Sequence, residues 1–416
     1  MSDAGRGEVV TPSHHRIGLH GVPVGRVDRT GTVELEGRRA RIGWWVAADD
    51  RWHDPRTAPS IRQRRLDGAP VVETKLAVPG GDVIQTSYCV ADHDGLLVVR
   101  YENTSPAAVA VAVPTIGAVT TAATPGTPPQ GIELPGTVRA FPLAHGGSLT
   151  FAWSLRRARW WRRSPIDTGR LAPADQVIRG WINACERASR IPDAADRLTS
   201  GRCTVLMAAP RELDDLLGRD PAVGVVAVAE RVRMGDPGGP WVEQVADAVR
   251  RLAKRPSESS WTSRAVSLAA FVLAGAHETR AVDDVLDIWR TLPDAPRTTP
   301  TSLDGPSDLR GQSDELQAAV VGLAAVEDRL ARPVGPDALH LLSDGVTPWL
   351  GSNVEAHGLH AGPHHRVSFA LRWHGENAAL LWEVDGPPGM RLAAPTVDRS
   401  FSTSDAQGET LLRVTR

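Results

Sequence analysis

Apolar positions recur at a helical interval through the middle of the chain and at alternate positions on either side of it. Val177, Ile178, Trp181, Ile182 and Cys185 share one helical face, and so do Trp241, Val242, Val245, Ala246, Val249, Leu252 and Ala253. A third stripe runs through Val282, Val285, Leu286, Trp289 and Leu292. A fourth runs through Leu316, Val320, Leu323 and Leu330, entered through Ser313 with Glu315 as a first-turn acid. Asp220-Pro221 opens a further helix that Gly235 closes. The apolar run 265–276 is too short to span a bilayer and reads as a buried helix. Segments 203–208 and 223–228 could be helix or short buried strand, because period alone does not separate the two.

Before residue 155 the pattern is alternation. Candidate strands are 32–36, 39–46, 71–78, 82–91, 96–102, 107–113 and 148–155, with residues 1–15 read as a frayed end. Pro79-Gly80-Gly81, the run from Asp92 to Gly95 and the run from Asn103 to Pro106 punctuate them as turns. Regularly spaced short strands of this kind predict an antiparallel β-sandwich. After residue 366 alternation returns. Gly375-Glu376 read as a two-residue turn pairs Trp373 with Ala378, Leu371 with Leu380, Phe369 with Trp382 and Val367 with Val384, all on one face. Arg372, His374, Ser368 and Glu383 then fall on the other. A last strand is expected over 410–414.

The expected architecture is therefore a multidomain α and β chain: an N-terminal antiparallel β-sandwich (1–155), a linker (156–173), a helical middle (174–345) and a small C-terminal β-sheet (346–416).

Composition narrows the function classes. The formal net charge is −2, which gives no global attraction to nucleic acid or acidic lipid. Lys75 and Lys254 are the two lysines and every other basic side chain is arginine, so arginine clusters carry little functional weight. The linker holds Trp160 and Trp161 among five arginines, which reads as tryptophans docked on an interface ahead of nucleic-acid stacking. Cys89, Cys185 and Cys203 are scattered, so neither a disulfide framework nor a zinc site is expected. No signal peptide is read near the N-terminus, and a cytoplasmic location is expected. No G-x-S-x-G, P-loop or Cys–His pair is present, and no cofactor is expected. The group Glu355, His357, His360, His364 and His365 lacks metal-ligand spacing and reads as a polar loop, so no metal is expected.

Two loops carry the candidate chemistry. Residues 47–60 mix Asp49, Asp50, Trp52, His53 and Asp54, and residues 292–311 form a long polar connection with Asp294, Asp304 and Asp308. Hydrolysis of a glycosidic bond needs two carboxylates flanking it. Asp50, Asp54, Asp304 and Asp308 are the catalytic candidates, with Asp314, Glu315 and Glu355 as further acids on loops. Tryptophan supplies 13 of the 20 aromatic side chains (13 Trp, 2 Tyr, 5 Phe). Trp181, Trp241 and Trp289 lie on apolar stripes and read as core. Trp44, Trp45, Trp52 and Trp349 lie near turns and could stack on a sugar ring. Trp45, Trp52, His53 and Trp349 are the expected substrate-binding residues.

The stretches VVETKLAVPGGDVIQTSYCVADHDGLLVVRYENTSPAAVAVAV (71–113) and VSFALRWHGENAALLWEVDG (367–386), in the order β-block, helices, β-tail, resemble the six-hairpin, glucoamylase-like glycosidase group and its actinobacterial relatives. The resemblance implies a partial α/α toroid in the middle and a sugar-related ancestry. About seven or eight helices are read here, fewer than a full toroid of that group uses. No motif matches the group's catalytic glutamates, so no catalytic residue is carried over. The expected function is a glycosidase-like protein that binds a carbohydrate and hydrolyses it if paired carboxylates converge. The alternative is a non-catalytic interaction protein that keeps the layout.

Overall fold

A computed structural model of the chain describes residues 14–37, 41–48, 51–115, 118, 138–155, 166–255, 261–292, 312–345, 350–375 and 377–413. The chain divides into two compact units, Met1–Trp181 and Ile182–Arg416.

The described residues of the first unit form three antiparallel sheets. β1 (His14–Leu19), β2 (Val22–Asp28), β3 (Val33–Leu35) and β4 (Arg41–Ile42) form a meander. β5 (Trp45–Ala47) and β6 (Trp52–His53) extend a sheet of order β12-β11-β5-β6, with β11 (Val109–Pro114) and β12 (Val138–Leu143). The third sheet has the order β13-β10-β9-β8-β7. Its strands are β7 (Ile61–Arg65), β8 (Val72–Val78), β9 (Gly81–Val90), β10 (Leu96–Asn103) and β13 (Ser148–Ser154). Inward residues of all three sheets, among them Ile17, Val46, Leu76, Leu97, Val111 and Phe151, form one core.

The expected turns are where the chain reverses. Val78 pairs with Gly81 around Pro79-Gly80, and Gly80 has φ +77. At the Asn103–Pro106 run, Asn103, fully buried, accepts from Ser105 N and Oγ and donates to Ala107 O and Leu143 O. The expected strand 39–46 is broken at Gly43-Trp44: Trp44 turns inward, is 2 % exposed, and donates Nε1 to Thr30 O at 3.0 Å. Trp44 is therefore core rather than a sugar platform. The frayed end expected up to residue 15 reaches too far: His14 and His15 already pair with Asp28 and Val27.

In the second unit and its entry, the described residues hold eight α-helices: α1 (Ala174–Glu186), α2 (Ala195–Met207), α3 (Pro210–Arg219), α4 (Pro221–Arg233), α5 (Val242–Lys254), α6 (Thr262–Gly275), α7 (Thr279–Thr291) and α8 (Gln312–Leu330). The two open segments are helical, within α2 and α4. Asp220 caps α4 by accepting from Val223 N at 3.1 Å, and Gly235 leaves it at φ +114. No helix among the described residues is long and apolar enough to cross a membrane.

Helix gives way to strand at residue 331, earlier than the expected boundary near 344. Pro333 and Gly335 cannot continue α8, and Ala331 pairs instead with Leu341. β14 (Ala331–Gly335), β15 (Ala338–Leu341), β19 (Arg391–Ala394) and β20 (Asp398–Thr403) form one sheet, in which β15 and β19 run parallel. β16 (Val354–Gly362), β17 (His365–His374), β18 (Asn377–Asp385) and β21 (Gln407–Leu412) form the other. The histidine-rich stretch read as a polar loop is largely strand β16. The β17–β18 register is the expected one at all four pairs.

Candidate functional site

Three of the sequence candidates, Trp45, Trp52 and Asp54, share the face of the β12-β11-β5-β6 sheet turned away from the core of the first unit. Ala47 pairs with Trp52 and Val46 with His53, so continuing the register sets Asp54 across from Trp45. Strand alternation places Trp45 and Trp52 on one face, where both pack on Ala112, Val138 and Ala140. His53 falls on the opposite face, with the buried Val46. Both tryptophans are half-buried. The Trp52 indole nitrogen is buried and has no hydrogen-bond partner among the described residues.

Asp54 is held in place by the chain that follows it. Its Oδ1 accepts from Arg56 N at 2.9 Å in an Asx turn, and its carboxylate accepts from Arg56 Nε and Nη2 at 3.0 and 2.6 Å. The Arg56 guanidinium lies 5.6 Å over the Trp45 ring. Burial raises the Asp54 carboxyl, but the hydrogen bonds from Arg56 and from the Trp45 side chain outweigh it and hold Asp54 below its ordinary range. An acid kept ionised in this way cannot donate a proton near neutral pH, which is what the acid of a glycosidase must do. Arg56 itself escaped the sequence reading. Its signal was the Asp-Pro-Arg run, in which an Asx turn brings the third side chain back onto the first.

Asp49, Asp50, Asp304, Asp308, Trp349 and the Trp160–Trp161 pair lie outside the described residues. The expected pairing of acids from residues 47–60 and 292–311 therefore reduces, within the described residues, to Asp54. Glu355 is committed to an ion pair with Arg372. The histidines of β16 and β17 have separate partners. His360 Nε2 is 2.8 Å from Ser267 Oγ and the ring lies edge-on to Phe271; His365 donates Nε2 to Pro387 O at 2.8 Å; His357 faces Glu355 at 3.9 Å. Burial, with Arg233 and Arg264 nearby, holds the His360 imidazole neutral.

Three carboxylates of the helical block are consumed in its interior. Glu327 on α8 is 2 % exposed and accepts from Arg202 Nη2 (2.9 Å), Arg233 Nη1 (2.8 Å) and Nη2 (2.9 Å), Arg264 Nη2 (2.5 Å) and Ser189 Oγ (2.6 Å). Glu230 pairs with Arg202 and Arg233, and Asp328 with Arg264, so three guanidinium groups meet three carboxylates. Burial would raise the Glu327 carboxyl, but the three arginines hold it well below the ordinary range. This cluster was missed in the sequence because arginine was discounted as compositional. The signal was present: Glu327 occupies the slot between Leu323 and Leu330 on the fourth apolar stripe.

A second surface lies on the C-terminal sheet. A groove of about 610 Å³ is lined by His357, Ser368, Ala370, Leu381, Glu383 and Glu409 among others. Leu381 and Leu411 on this face are 38 % and 63 % exposed. No family model, curated protein or solved structure matches the chain.

Proposed function

We propose that this protein binds a carbohydrate on the outer face of the β12-β11-β5-β6 sheet and does not hydrolyse it with Asp54. In this reading the N-terminal sheets pack as a β-sandwich, the helices form a partial α/α toroid of the six-hairpin glycosidase type, and the protein acts in the cytoplasm. The observation that carries the reading is the grouping of Trp45 and Trp52 on one face with the Asp54–Arg56 fork at its edge. A pyranose offers an apolar C–H face, which a tryptophan ring accepts, and vicinal hydroxyls, which planar carboxylate and guanidinium groups bridge. Trp52 supplies the stacking face. Trp45 braces Arg56, which is pre-ordered by Asp54 and so loses little freedom when a ligand arrives.

The test for turnover is a reducing-end release assay on any glycan that binds. Wild type and Asp54→Asn are expected to release sugar at the same background rate. Release by wild type that Asp54→Asn abolishes would make Asp54 catalytic and overturn the non-hydrolytic part.

The groove on the C-terminal sheet favours a second reading, a protein-interaction role. Its apolar floor, Ala370 and Leu381, and its exposed carboxylates, Glu383 and Glu409, suit a polypeptide better than a sugar.

A further inference from the structure

We propose that Cys185 and Cys203 form an oxidation site, a thiol pair placed to close into an intramolecular disulfide when a peroxide reaches it. The two sulfurs lie 3.7 Å apart, at 1 % and 0 % residue exposure. A disulfide requires about 2.05 Å, so the sulfurs must approach by roughly 1.7 Å. Cys185 sits on the last turn of α1, one residue before its end at Glu186, where the backbone can yield. Cys203 lies within α2, which fixes the other sulfur. None of the three cysteines is in a disulfide in this structure. Cys89, on β9 in the core of the first unit, is not part of this pair.

The chemistry balances with hydrogen peroxide as oxidant. One thiol loses its proton and its sulfur attacks the peroxide. An S–O bond forms as the O–O bond breaks, leaving a sulfenic acid and one water. The second thiol loses its proton and attacks the sulfenic sulfur, so that S–S forms as S–O breaks and a second water leaves. Two thiols give up two electrons in total, and hydrogen peroxide is reduced to two waters. A small oxidant suits the site because both thiols are buried.

The bond would act where the helical block is already tied. Arg202, adjacent to Cys203, donates Nη1 to Cys185 O at 3.3 Å and to Ser189 O at 2.6 Å. Oxidation would fasten residues 185–189 to α2 covalently beside that guanidinium, against the Glu327 cluster.

The experiment treats the full-length protein with hydrogen peroxide, alkylates it under denaturing conditions and digests it with trypsin. Cleavage after Arg179, Arg187, Arg202 and Arg211 separates the two cysteines onto peptides 180–187 and 203–211. The expected result is a linked pair of these peptides that dithiothreitol releases. Alkylatable thiols fall from three to one, the remaining one being Cys89. Cys203→Ser is expected to give no intramolecular link under the same treatment. Three alkylatable thiols after peroxide, a link that includes Cys89, or recovery of Cys185 and Cys203 only as sulfinic acids would each overturn the proposal.

Discussion

Glu327 concentrates the largest single-residue effect expected in the second unit. It is the shared acceptor of Arg202, Arg233 and Arg264, all at most 4 % exposed. Replacing one member of a buried ionic group leaves the others desolvated and uncompensated, at a cost of about 3–5 kcal/mol. Glu327→Gln, which keeps the shape and removes the charge, should lower the urea midpoint accordingly; a midpoint equal to wild type would remove the cluster from any structural role. His15 gives a pH effect of defined sign. Burial first, then Arg65 and His14, lower its pKa from 6.5 to about 4. The unfolded chain therefore binds the proton first. The contribution of neutral His15 to stability is intact above pH 6.5 and is lost as pH falls, with the loss complete near pH 4. By pH 5 the loss is about 2 kcal/mol. His15→Asn should shrink the difference in unfolding free energy between pH 7 and pH 5 by that amount. His360, shifted the same way, leaves a residual slope. Gly31 is a steric case, at φ +80, where a Cβ would strike Gln85 Oε1 and lie 2.9 Å from Trp44 Nε1. Gly31→Ala should destabilise by about 2–4 kcal/mol, combining the left-handed backbone with overpacking.

Among elements, the β17–β18 hairpin was the most legible, because two independent constraints agreed. The Gly375 turn, with φ +65, fixes the register, and the alternation fixes which face is buried. Phe369, Leu371, Leu380 and Trp382 are buried as that register requires, while Trp373 at the end of the strand is only half-buried. Trp382 is 8 % exposed, donates Nε1 to Asp405 O at 3.0 Å and lies edge-on to Phe401 at 5.5 Å. Trp382→Ala should cost about 3–5 kcal/mol in chemical denaturation; a neutral outcome would contradict this packing. Short strands were less legible. β6 has two residues and β7 alternates polar side chains, so neither carries a hydrophobic period. β16 was hidden because its histidines and glycines read as loop, and only pairing with β17 makes it a strand. The helical stripes were read correctly as helix, but not every slot is core: Ala253 is exposed, and Trp181 and Trp241, read as core, are only half-buried. Where a charged residue filled a core slot, as Glu327 does, hydrophobicity alone could not see it, since burial there is decided by partners on α2, α4 and α6.

For the whole molecule, the chain order of strands, helices and strands was written in its change of period, and its division into two compact units was not. The site was legible only in part. Trp45, Trp52 and Asp54 meet on one sheet face because β5 and β6 pair, whereas His53 alternates away from it. The carbohydrate reading stands on that face. The measurement that tests it most directly is a broad glycan-binding screen run side by side on wild type and the Trp45→Ala/Trp52→Ala double variant, with matched thermal melts to show that both are folded. The account predicts that wild type retains at least one class of glycan and that the double variant binds it at least ~10-fold more weakly, the equivalent of about 1.4 kcal/mol. A wild type that retains no glycan, or a folded double variant that binds as wild type does, would contradict it.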